Sequence, residues 1–451
     1  MTKRDWIPRL TTLGLAAAMV LATAQVSAQE MTVFGAIKEG NADGSIPAYT
    51  GGLTTPPAGY AGGGNYIDPY AADKPVASIT KQNLAQYKDQ LTPGTQALFE
   101  RFPEYRIDVY PTHRSMHWPD SVLKATTEHA GQAKLGGAVE GDKIENAFAG
   151  VPFPAPKTGY EALWNRYFTY IPYLELTAGS YMIDSRGNIS NLSQGTMHKA
   201  NVMYEPQLQG ADNAGLTDMA NIVTSAPVNV AGYSQLRKER LDYGSGGTLA
   251  WFFDPSQRRV RVAPNYTYDI PSSAFGGTLF YDEVFLFSGR MDRFNYKLVG
   301  RQEMILPYNS YKTLQANYTD VLGKKFLNPD FIRWEKHRVW VVEADLKPDA
   351  RHAYKKRRYF LDEDTWLVLA TEGYDHSGAL YRVGYTYPIF EYTGIGGVSN
   401  GSYSFYDFNR GNYAFTWLGK SNGQPAEVKF YKDVRRPEMF TPKGIAGTST
   451  R

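Results

Sequence analysis

The stretch YFLDEDTWLVLATEGYDHSGALYRVGYTY, residues 359–387, decides the fold. Its apolar and aromatic residues come in short runs, and the runs are separated by clusters of turn-forming residues at 362–364 and 375–378. Short runs rich in aromatic and β-branched residues, separated by such turns, are typical of antiparallel strands joined as hairpins. The stretch therefore predicts a meander of consecutive strands.

The same rhythm extends to both sides of this meander. Apolar residues alternate over 249–253, a turn follows, and the alternation returns over 260–262, which predicts a hairpin. Residues 338–343 (RVWVVE) predict a further strand, and alternating aromatic residues at 403–405 and 413–417 predict two more. The chain is therefore predicted to be mainly β, with neighbouring strands paired antiparallel.

Helix signals precede the strands. Thr80, Thr92 and Pro119 each stand where a helix can begin. The strongest pattern begins at Thr158, which has capping-box spacing with Glu161, so that each side chain can satisfy a backbone amide of the first turn. The helix predicted over 158–170 carries a wide apolar face, formed by Tyr160, Leu163, Trp164, Tyr167 and Phe168. We expect this helix to act as a lid or plug on the sheet.

The first 28 residues have the pattern of a signal peptide. Three basic residues precede an apolar run over 10–24, and small residues at 26–28 offer a cleavage site. We therefore expect residues 1–28 to be removed, Gln29 to begin the mature chain, and the protein to reside in the periplasm. Because the sequence contains no Cys, we do not expect a lipoprotein.

The rest of the chain divides by composition. Residues 29–156 begin with an extended arm rich in Gly, Pro and Tyr, which cannot supply a core of its own, and continue with helix signals. Residues 157–451 contain the helix at Thr158 and the predicted strands. We expect the first part to be an N-terminal extension and the second to form the sheet.

Composition and motifs argue against several classes of function. The 48 Lys and Arg residues nearly balance 45 Asp and Glu, which does not favour a nucleic-acid binder. The absence of Cys excludes disulfides and thiolate metal sites. His113 and His117 are four residues apart, but prolines bracket them and no H-E-x-x-H motif accompanies them. We therefore predict no catalytic residue, no metal site and no cofactor.

The aromatic residues of the predicted sheet are the remaining candidates for a site. They are either ordinary core or the lining of a cavity, because a curved antiparallel sheet can leave its concave face open for an apolar ligand. The candidate lining residues are Trp164, Tyr167, Phe168, Trp251, Phe253, Trp340, Tyr381, Tyr385, Phe405 and Trp417. Arg258, Arg259 and Arg261 are either a solvated hairpin end or a rim that contacts anionic head groups or a partner.

Several long motifs resemble a known family. They are GNADGSIPAYTGG at 40–52, YPTHR at 110–114, PFPAPKTGYEALWN at 152–165, RRVRVAP at 258–264, WEKHRVWVVEADLKP at 334–348 and RRYFLDEDTW at 357–366. In this order they resemble a large family of Gram-negative periplasmic proteins that carry a domain of unknown function and are often labelled outer-membrane lipoprotein-sorting proteins. The second half is also similar to the Lol-type lipoprotein carriers.

The resemblance implies a fold and a role. The fold is α+β, a curved antiparallel half-barrel of the lipoprotein-carrier type with a helical lid and a long N-terminal extension. The role is to carry a lipid or other hydrophobic substance between a resistance-nodulation-division-type inner-membrane exporter and an outer-membrane barrel protein. The family offers no established catalytic or ligand residues to carry over.

Two other functions remain open on the sequence alone. Alternating aromatic residues, with 33 Tyr in all, would also fit an outer-membrane β-barrel. Scattered carboxylates or His113 would be the candidate groups of a secreted hydrolase. The hydrophobic carrier, without enzymatic activity, is the function that we expect.

Overall fold

The computed structural model describes residues 1–2, 29–210, 213–263, 267–419 and 426–448. Most of the predicted signal peptide, residues 3–28, lies outside this part of the chain. The helices are α1 Pro93–Arg101, α2 Asp120–Glu128, α3 Gly159–Arg166, α4 Lys312–Gln315, α5 Tyr318–Val321 and α6 Pro442–Thr448.

Twenty strands are described. They are β1 Ala77–Ile79, β2 Ile107–Val109, β3 Lys134–Gly136, β4 Lys143–Glu145, β5 Tyr173–Ile183, β6 Ile189–Asn201, β7 Leu216–Ala226, β8 Ser234–Arg240, β9 Leu249–Asp254, β10 Arg259–Val262, β11 Phe294–Pro307, β12 Trp334–Leu346, β13 Lys356–Asp362, β14 Val368–Tyr374, β15 Leu380–Thr386, β16 Ile389–Phe390, β17 Val398–Ser399, β18 Tyr403–Asp407, β19 Asn412–Leu418 and β20 Glu427–Tyr431.

Within the described residues, sixteen of these strands form one sheet. Neighbouring strands follow the order β1, β2, β12, β13, β14, β15, β18, β19, β5, β6, β7, β8, β9 and β10, with β11 paired to β12 and β20 paired to β5. The pairs are antiparallel except for a short parallel contact of Trp334 with Val109. The sheet is open and curved, and helices pack on it, which confirms the predicted α+β class.

The meander predicted from residues 359–387 is present as β13, β14 and β15. Its first turn follows Asp362, and its second follows Asp375, whose side chain accepts hydrogen bonds from the amides of Ser377 and Ala379 at 2.9 and 3.0 Å. The predicted hairpin of β9 and β10 also forms, with Val260 paired to Phe253. Turn chemistry and alternation therefore identified these strands correctly.

Strand β5 links the two halves of the sheet. Its C-terminal half pairs with β19, where Ile183 faces Tyr413, and its N-terminal half pairs with β20, where Glu175 faces Lys429. The strands β5 to β10 thus continue from the meander as a second antiparallel run. This second run carries the candidate site.

The helix at Thr158 forms with a predicted cap but a different end. The Thr158 hydroxyl accepts a hydrogen bond from the Glu161 amide at 3.2 Å, whereas the Glu161 carboxylate accepts from the Lys157 amide at 2.5 Å. The helix ends at Arg166 and not at 170, because the Tyr167 amide turns to the Trp164 carbonyl at 3.0 Å in a tighter turn.

Helix α3 is buried on every side and packs against β11 and β12. A Cβ at Gly159 would lie 2.8 Å from a methyl carbon of Val342, so the first turn sits directly on β12. Of the other predicted helix starts, Thr92 caps α1 and Pro119 precedes α2. Thr80 precedes only two short 3₁₀ turns, at Leu84–Gln86 and Lys88–Gln90.

The N-terminal arm is fixed to the turn between β13 and β14. The Trp366 indole donates a hydrogen bond to the Phe34 carbonyl at 2.9 Å, and the Ile37 amide donates to the Glu363 carboxylate at 3.3 Å. Phe34 itself is buried and belongs to the same apolar core as α3. The arm therefore completes the core of the sheet-forming region, as its composition requires.

Both faces of the second run are covered. Helix α6 and the turn before it pack on one face of β7 to β9, where Leu236, Phe253, Phe440 and Ile445 form a small core. Residues 267–289, between β10 and β11, lie over the other face. Between this segment and the strands lies the candidate site.

Candidate functional site

A cavity of about 500 Å³ lies between the second run of strands and residues 267–289, which follow β10. We call it the main cavity. Its apolar lining residues are Leu192, Ala220, Ile222, Val230, Phe252, Ala274, Phe275, Val284 and Phe285. Its polar lining residues are Ser180, Ser193, Thr224, Tyr233, Ser234, Gln235, Arg237, Asp254, Arg261 and Tyr403. The volume lies in the range of about 300–1,000 Å³ that ligand pockets occupy.

Strand register places the floor of the main cavity on one face of the sheet. Ile222 pairs with Gln235, Gln235 with Phe252, and Phe252 with Arg261, so these residues form one row across β7, β8, β9 and β10. Side chains alternate between the faces of a strand, so Ala220 and Arg237, two residues away, lie on the same face in the next row.

The opposite wall is held in an unusual backbone conformation. Phe285 has φ 54° and Leu286 has φ 67°, in the left-handed region that bulky residues rarely adopt. Each such residue costs roughly 1–2 kcal/mol, which the surrounding packing must offset. The conformation ends a short helical turn and brings the buried Phe285 ring into the cavity wall.

The mouth of the main cavity lies at the ends of two hairpins. Ser234 at the start of β8 pairs with Phe253 near the end of β9, so the turn before β8 adjoins the turn after β9. The first turn carries Val228, which is 94% exposed, and the second carries the exposed Arg258. Apolar and basic side chains therefore stand together beside the opening.

Charged residues meet at the inner end. Tyr233, just before β8, is 37% exposed, whereas Arg237 within β8 is 5% exposed. Arg237 forms an ion pair with Glu239 and donates a hydrogen bond to the Ser288 hydroxyl. Beside it, Lys199 and Arg166 of α3 both approach Asp218. We call Arg166, Lys199, Asp218, Arg237 and Glu239 the inner charge cluster.

Contacts within the inner charge cluster are close. The Lys199 ammonium donates to the Asp218 carboxylate at 2.5 Å, and the Arg166 Nη1 atom lies 3.6 Å from the same carboxylate. The Tyr243 hydroxyl donates to Glu239 at 2.5 Å. Burial lowers the pKa of Lys199 to about 8, although the Asp218 charge acts in the opposite direction.

The three aromatic residues predicted at the helix are in the core. Trp164, Tyr167 and Phe168 are buried, and the Trp164 ring lies 5.9 Å from Tyr243 and the Tyr167 ring 6.0 Å from Phe287. None of the three is among the residues that line the main cavity. The helix thus fills space beside the strands, and the wall over the cavity comes instead from 267–289.

Trp251 and Phe253 face away from the main cavity. They belong to the small core under α6, and it is Phe252, between them, that lines the cavity. Three consecutive aromatic residues leave the inward face undecided in the sequence, since a shift by one residue exchanges the faces. Because α6 covers the face of β9 opposite the cavity, both faces of this strand carry apolar side chains.

The other predicted aromatic residues lie in β12, β15, β18 and β19, outside the second run of strands. Tyr385 and Phe405 are buried in the main core, and Trp340 and Tyr381 are partly buried against it. These four do not line the main cavity. Trp417 lies in β19, but its side chain is outside the described residues.

The predicted arginines lie at the mouth. Arg261 lines the main cavity, and Arg258 and Arg259 are exposed at the adjoining turn. The inner charge cluster, by contrast, was not predicted. Its only trace in the sequence is a set of charged residues inside strands, as at Lys199 in TMHKAN and Arg237 in QLRKER.

His113, His117 and the acidic turn at 362–364 have structural partners. His113 bonds to Asp73 at 2.8 Å, and His117 bonds to the Gly51 carbonyl at 2.9 Å, in a segment without helix. Asp364 receives two hydrogen bonds from the Arg114 guanidinium, at 2.9 and 2.6 Å. These contacts fix the N-terminal arm against the sheet.

A cluster of three side chains near this turn has the spacing of metal ligands. His337, Asp362 and Asp364 offer ligand atoms within 4.8 Å of one another. However, Arg114 already occupies both oxygens of Asp364, and Tyr308 donates to Asp362 at 2.9 Å. Burial and the neighbouring Asp364 charge raise the pKa of Asp362 to about 6. The arrangement is that of a buried ion-pair network.

In the part of the chain that the structure describes, no helix combines the length and apolar character needed to cross a membrane.

Comparisons of the sequence and of the structure each found similar proteins. The chain is 38% identical over 398 residues to the uncharacterized protein PA3922 of Pseudomonas aeruginosa, covering 82% of this chain and 84% of that protein. A crystal structure of a DUF1329 family protein from Desulfovibrio piger matches with 13% identity and a TM-score of 0.41, covering 64% of this chain and 97% of that one. The LolA superfamily protein NE2245 from Nitrosomonas europaea matches with 12% identity and a TM-score of 0.34, covering 63% and 98%.

The family assignment rests on the sequence. The sequence profile of the family described as "Protein of unknown function (DUF1329)" matches residues 78–446, from β1 to α6. This match includes β5 to β10, whose strands form one side of the main cavity, and the described residues 267–289 on its other side. The chain belongs to the DUF1329 family.

Proposed function

We propose that this protein is a periplasmic carrier that holds a hydrophobic molecule in the main cavity and performs no catalytic step. The observation that supports the proposal is the cavity itself, about 500 Å³ with apolar walls on both sides. Apolar surface removed from water contributes roughly 25 cal/mol per Å². Binding would therefore be driven by the contact of an apolar chain with Ile222, Phe252 and Phe285.

The mouth supports loading from a membrane or from a partner protein. Val228 is 94% exposed there, and Arg258 and Arg259 stand beside it. Apolar side chains next to arginines suit contact with an anionic lipid surface, because arginine can pair with phosphate while the apolar group enters the interface. Release would then require an acceptor that binds the molecule more tightly or opens the wall.

The route of transport follows from the family resemblance and belongs to the same proposal. A resistance-nodulation-division-type exporter in the inner membrane and an outer-membrane barrel protein would stand at the two ends. The signal-peptide pattern of residues 1–28 supports export to the compartment between them.

Two measurements test the carrier. Organic extracts of the protein purified from periplasm, analysed by mass spectrometry, should contain a stoichiometric hydrophobic compound. A fluorescent fatty-acid probe should titrate the emptied protein to saturation. If the extract contains no such compound and the probe does not bind, the carrier proposal fails.

A matched pair of variants locates the binding. Ile222→Trp places a large ring in the main cavity, whereas Val223→Trp, one residue later and half-buried on the other face of β7, does not. We expect Ile222→Trp to weaken probe binding at least tenfold, because the ring occupies the volume of the ligand. Equal loss in both variants would place the probe elsewhere.

A further inference from the structure

The inner charge cluster carries more positive than negative groups at the closed end of an apolar cavity. Arg166, Lys199 and Arg237 are 4%, 1% and 5% exposed, while the carboxylates beside them are those of Asp218 and Glu239. Buried charges are expensive unless they are paired and hydrogen-bonded. Three cations against two carboxylates leave one positive charge without a partner of opposite sign within the cluster.

Arg166 is the group with unused donors. Its Nε and Nη2 atoms are buried and have no hydrogen-bond partner among the described residues. Its remaining polar contact is the 3.6 Å approach of Nη1 to Asp218, which is too long for a good hydrogen bond. The guanidinium otherwise lies over the rings of Tyr167 and Phe285, at 4.8 and 5.7 Å. Such a group is suited to bind an anion.

A small void lies beside this arginine and shares lining residues with the main cavity. The void, of about 10 Å³, is lined by Arg166, Asp218, Arg237, Glu239 and Ser288, and by Ala220 and Phe285. Ala220, Arg237 and Phe285 line the main cavity as well. A volume of this size accommodates about one oxygen atom. An acidic group at the end of an apolar chain could therefore place one oxygen between the two guanidinium groups.

We propose that the ligand of the main cavity is a carboxylic-acid amphiphile, whose carboxylate lies between Arg166 and Arg237 and whose apolar chain runs past Phe252 toward the mouth. This inference rests on the proposed carrier function and adds the chemical class and direction of the ligand. A carboxylate fits the small void better than a phosphate, which presents three further oxygens around its phosphorus atom. The charge of the ligand would also balance the excess positive charge of the cluster.

Competition against the fluorescent probe tests the ligand class. Laurate, dodecanol and dodecyl phosphate share one chain length and differ in the head group. We expect laurate to bind at least about tenfold more tightly than dodecanol, since charge-assisted hydrogen bonds exceed neutral ones in strength. Laurate should also bind more tightly than dodecyl phosphate.

A variant then locates the carboxylate. Arg166→Met keeps an unbranched side chain but removes the guanidinium donors, and it should abolish the preference for laurate over dodecanol. Arg261→Met tests the opposite direction, with the carboxylate at the mouth; if the carboxylate lies at Arg166, the preference for laurate persists in this variant. The comparison on the unaltered protein needs no variant, so it decides the ligand class even if Arg166→Met fails to fold.

The outcomes separate this inference from the carrier function. If laurate and dodecanol bind equally well, or if dodecyl phosphate binds most tightly, the carboxylate assignment is overturned and the carrier stands. If the preference for laurate persists in Arg166→Met and is lost in Arg261→Met, the head group lies at the mouth and the proposed direction is overturned. If none of the three compounds displaces the probe and the probe itself does not bind, the carrier function fails as well.

Discussion

The ammonium nitrogen of Lys199 lies 4.0 Å from the centre of the Phe285 ring. This contact joins the charge on the sheet to the wall segment opposite, across the inner end of the main cavity. A cation over an aromatic face is worth more when both groups are removed from water. The two residues therefore hold the wall against β6. A change in the charge of Lys199 should change the free energy of unfolding.

The first prediction concerns pH. Lys199 gives up its proton near pH 8 in the folded protein, against an ordinary lysine pKa of about 10.4. Between these two pKa values the unfolded chain binds more protons than the folded one, so the free energy of unfolding rises with pH. Below pH 8 the folded protein bears the full cost of burying the charge, and this cost disappears as Lys199 loses its proton. Lys199→Met lacks this dependence.

We expect the free energy of unfolding of the unaltered protein, relative to Lys199→Met, to rise by about 2 kcal/mol between pH 7 and pH 10. The groups that face Lys199, namely Asp218 on β7, Arg237 on β8, Arg166 at the end of α3 and the Phe285 ring, are present in both proteins. Urea unfolding at each pH measures the difference. Curves that stay parallel would show that Lys199 does not titrate in this range.

The second prediction concerns the mouth. Arg258→Glu combined with Arg259→Glu should slow the transfer of a fluorescent fatty acid between the protein and anionic vesicles at least about tenfold, because each basic residue near such a surface contributes about 1 kcal/mol. Equilibrium affinity for the free probe should not change. Lys74→Glu with Lys81→Glu, two exposed residues before α1, makes the same change of charge elsewhere. Equal slowing in this control would indicate a general charge effect and not a specific mouth.

The third prediction separates the two faces of β7 to β9. Phe440 is 1% exposed in the small core under α6, so Phe440→Ala should lower the free energy of unfolding by about 3 kcal/mol. Probe affinity should remain, because the cavity lies on the other face. Phe285→Ala should weaken probe binding more than it lowers the free energy of unfolding, because the Phe285 ring lines the cavity. If Phe440→Ala weakened probe binding as strongly as Phe285→Ala, the two faces of the strands would not be independent.

Local sequence signals predicted the β13 to β15 meander and the starts of α1 and α3 well. Turn residues after Asp362 and at Asp375 give each strand a defined end, and Thr92 and Thr158 give two helices a defined start. These features depend on a few neighbouring residues, so the sequence contains what is needed to recognise them. The end of α3 at Arg166 was not predictable in this way, because it follows from a tighter backbone turn.

The site depends on contacts that no local pattern records. Phe252 faces the cavity and Trp251 does not, because α6, nearly two hundred residues later, covers the other face. The wall over the cavity is formed by 267–289, where short helical turns and the left-handed Phe285 replace regular periodicity. Arg166 and Lys199 come together from α3 and β6 only in the folded chain. Among the predicted residues whose side chains the structure describes, Arg261 alone lines the cavity, although it was predicted as a rim contact and not as lining.

Anomalous diffraction from crystals of the protein grown with a terminally brominated fatty acid tests the central claim most directly. We predict a bromine peak inside the main cavity near Val230 and Tyr233, with continuous density for the chain along Phe252 and Phe285. A cavity without such density under saturating ligand, or a peak only at another place on the protein, would contradict the account.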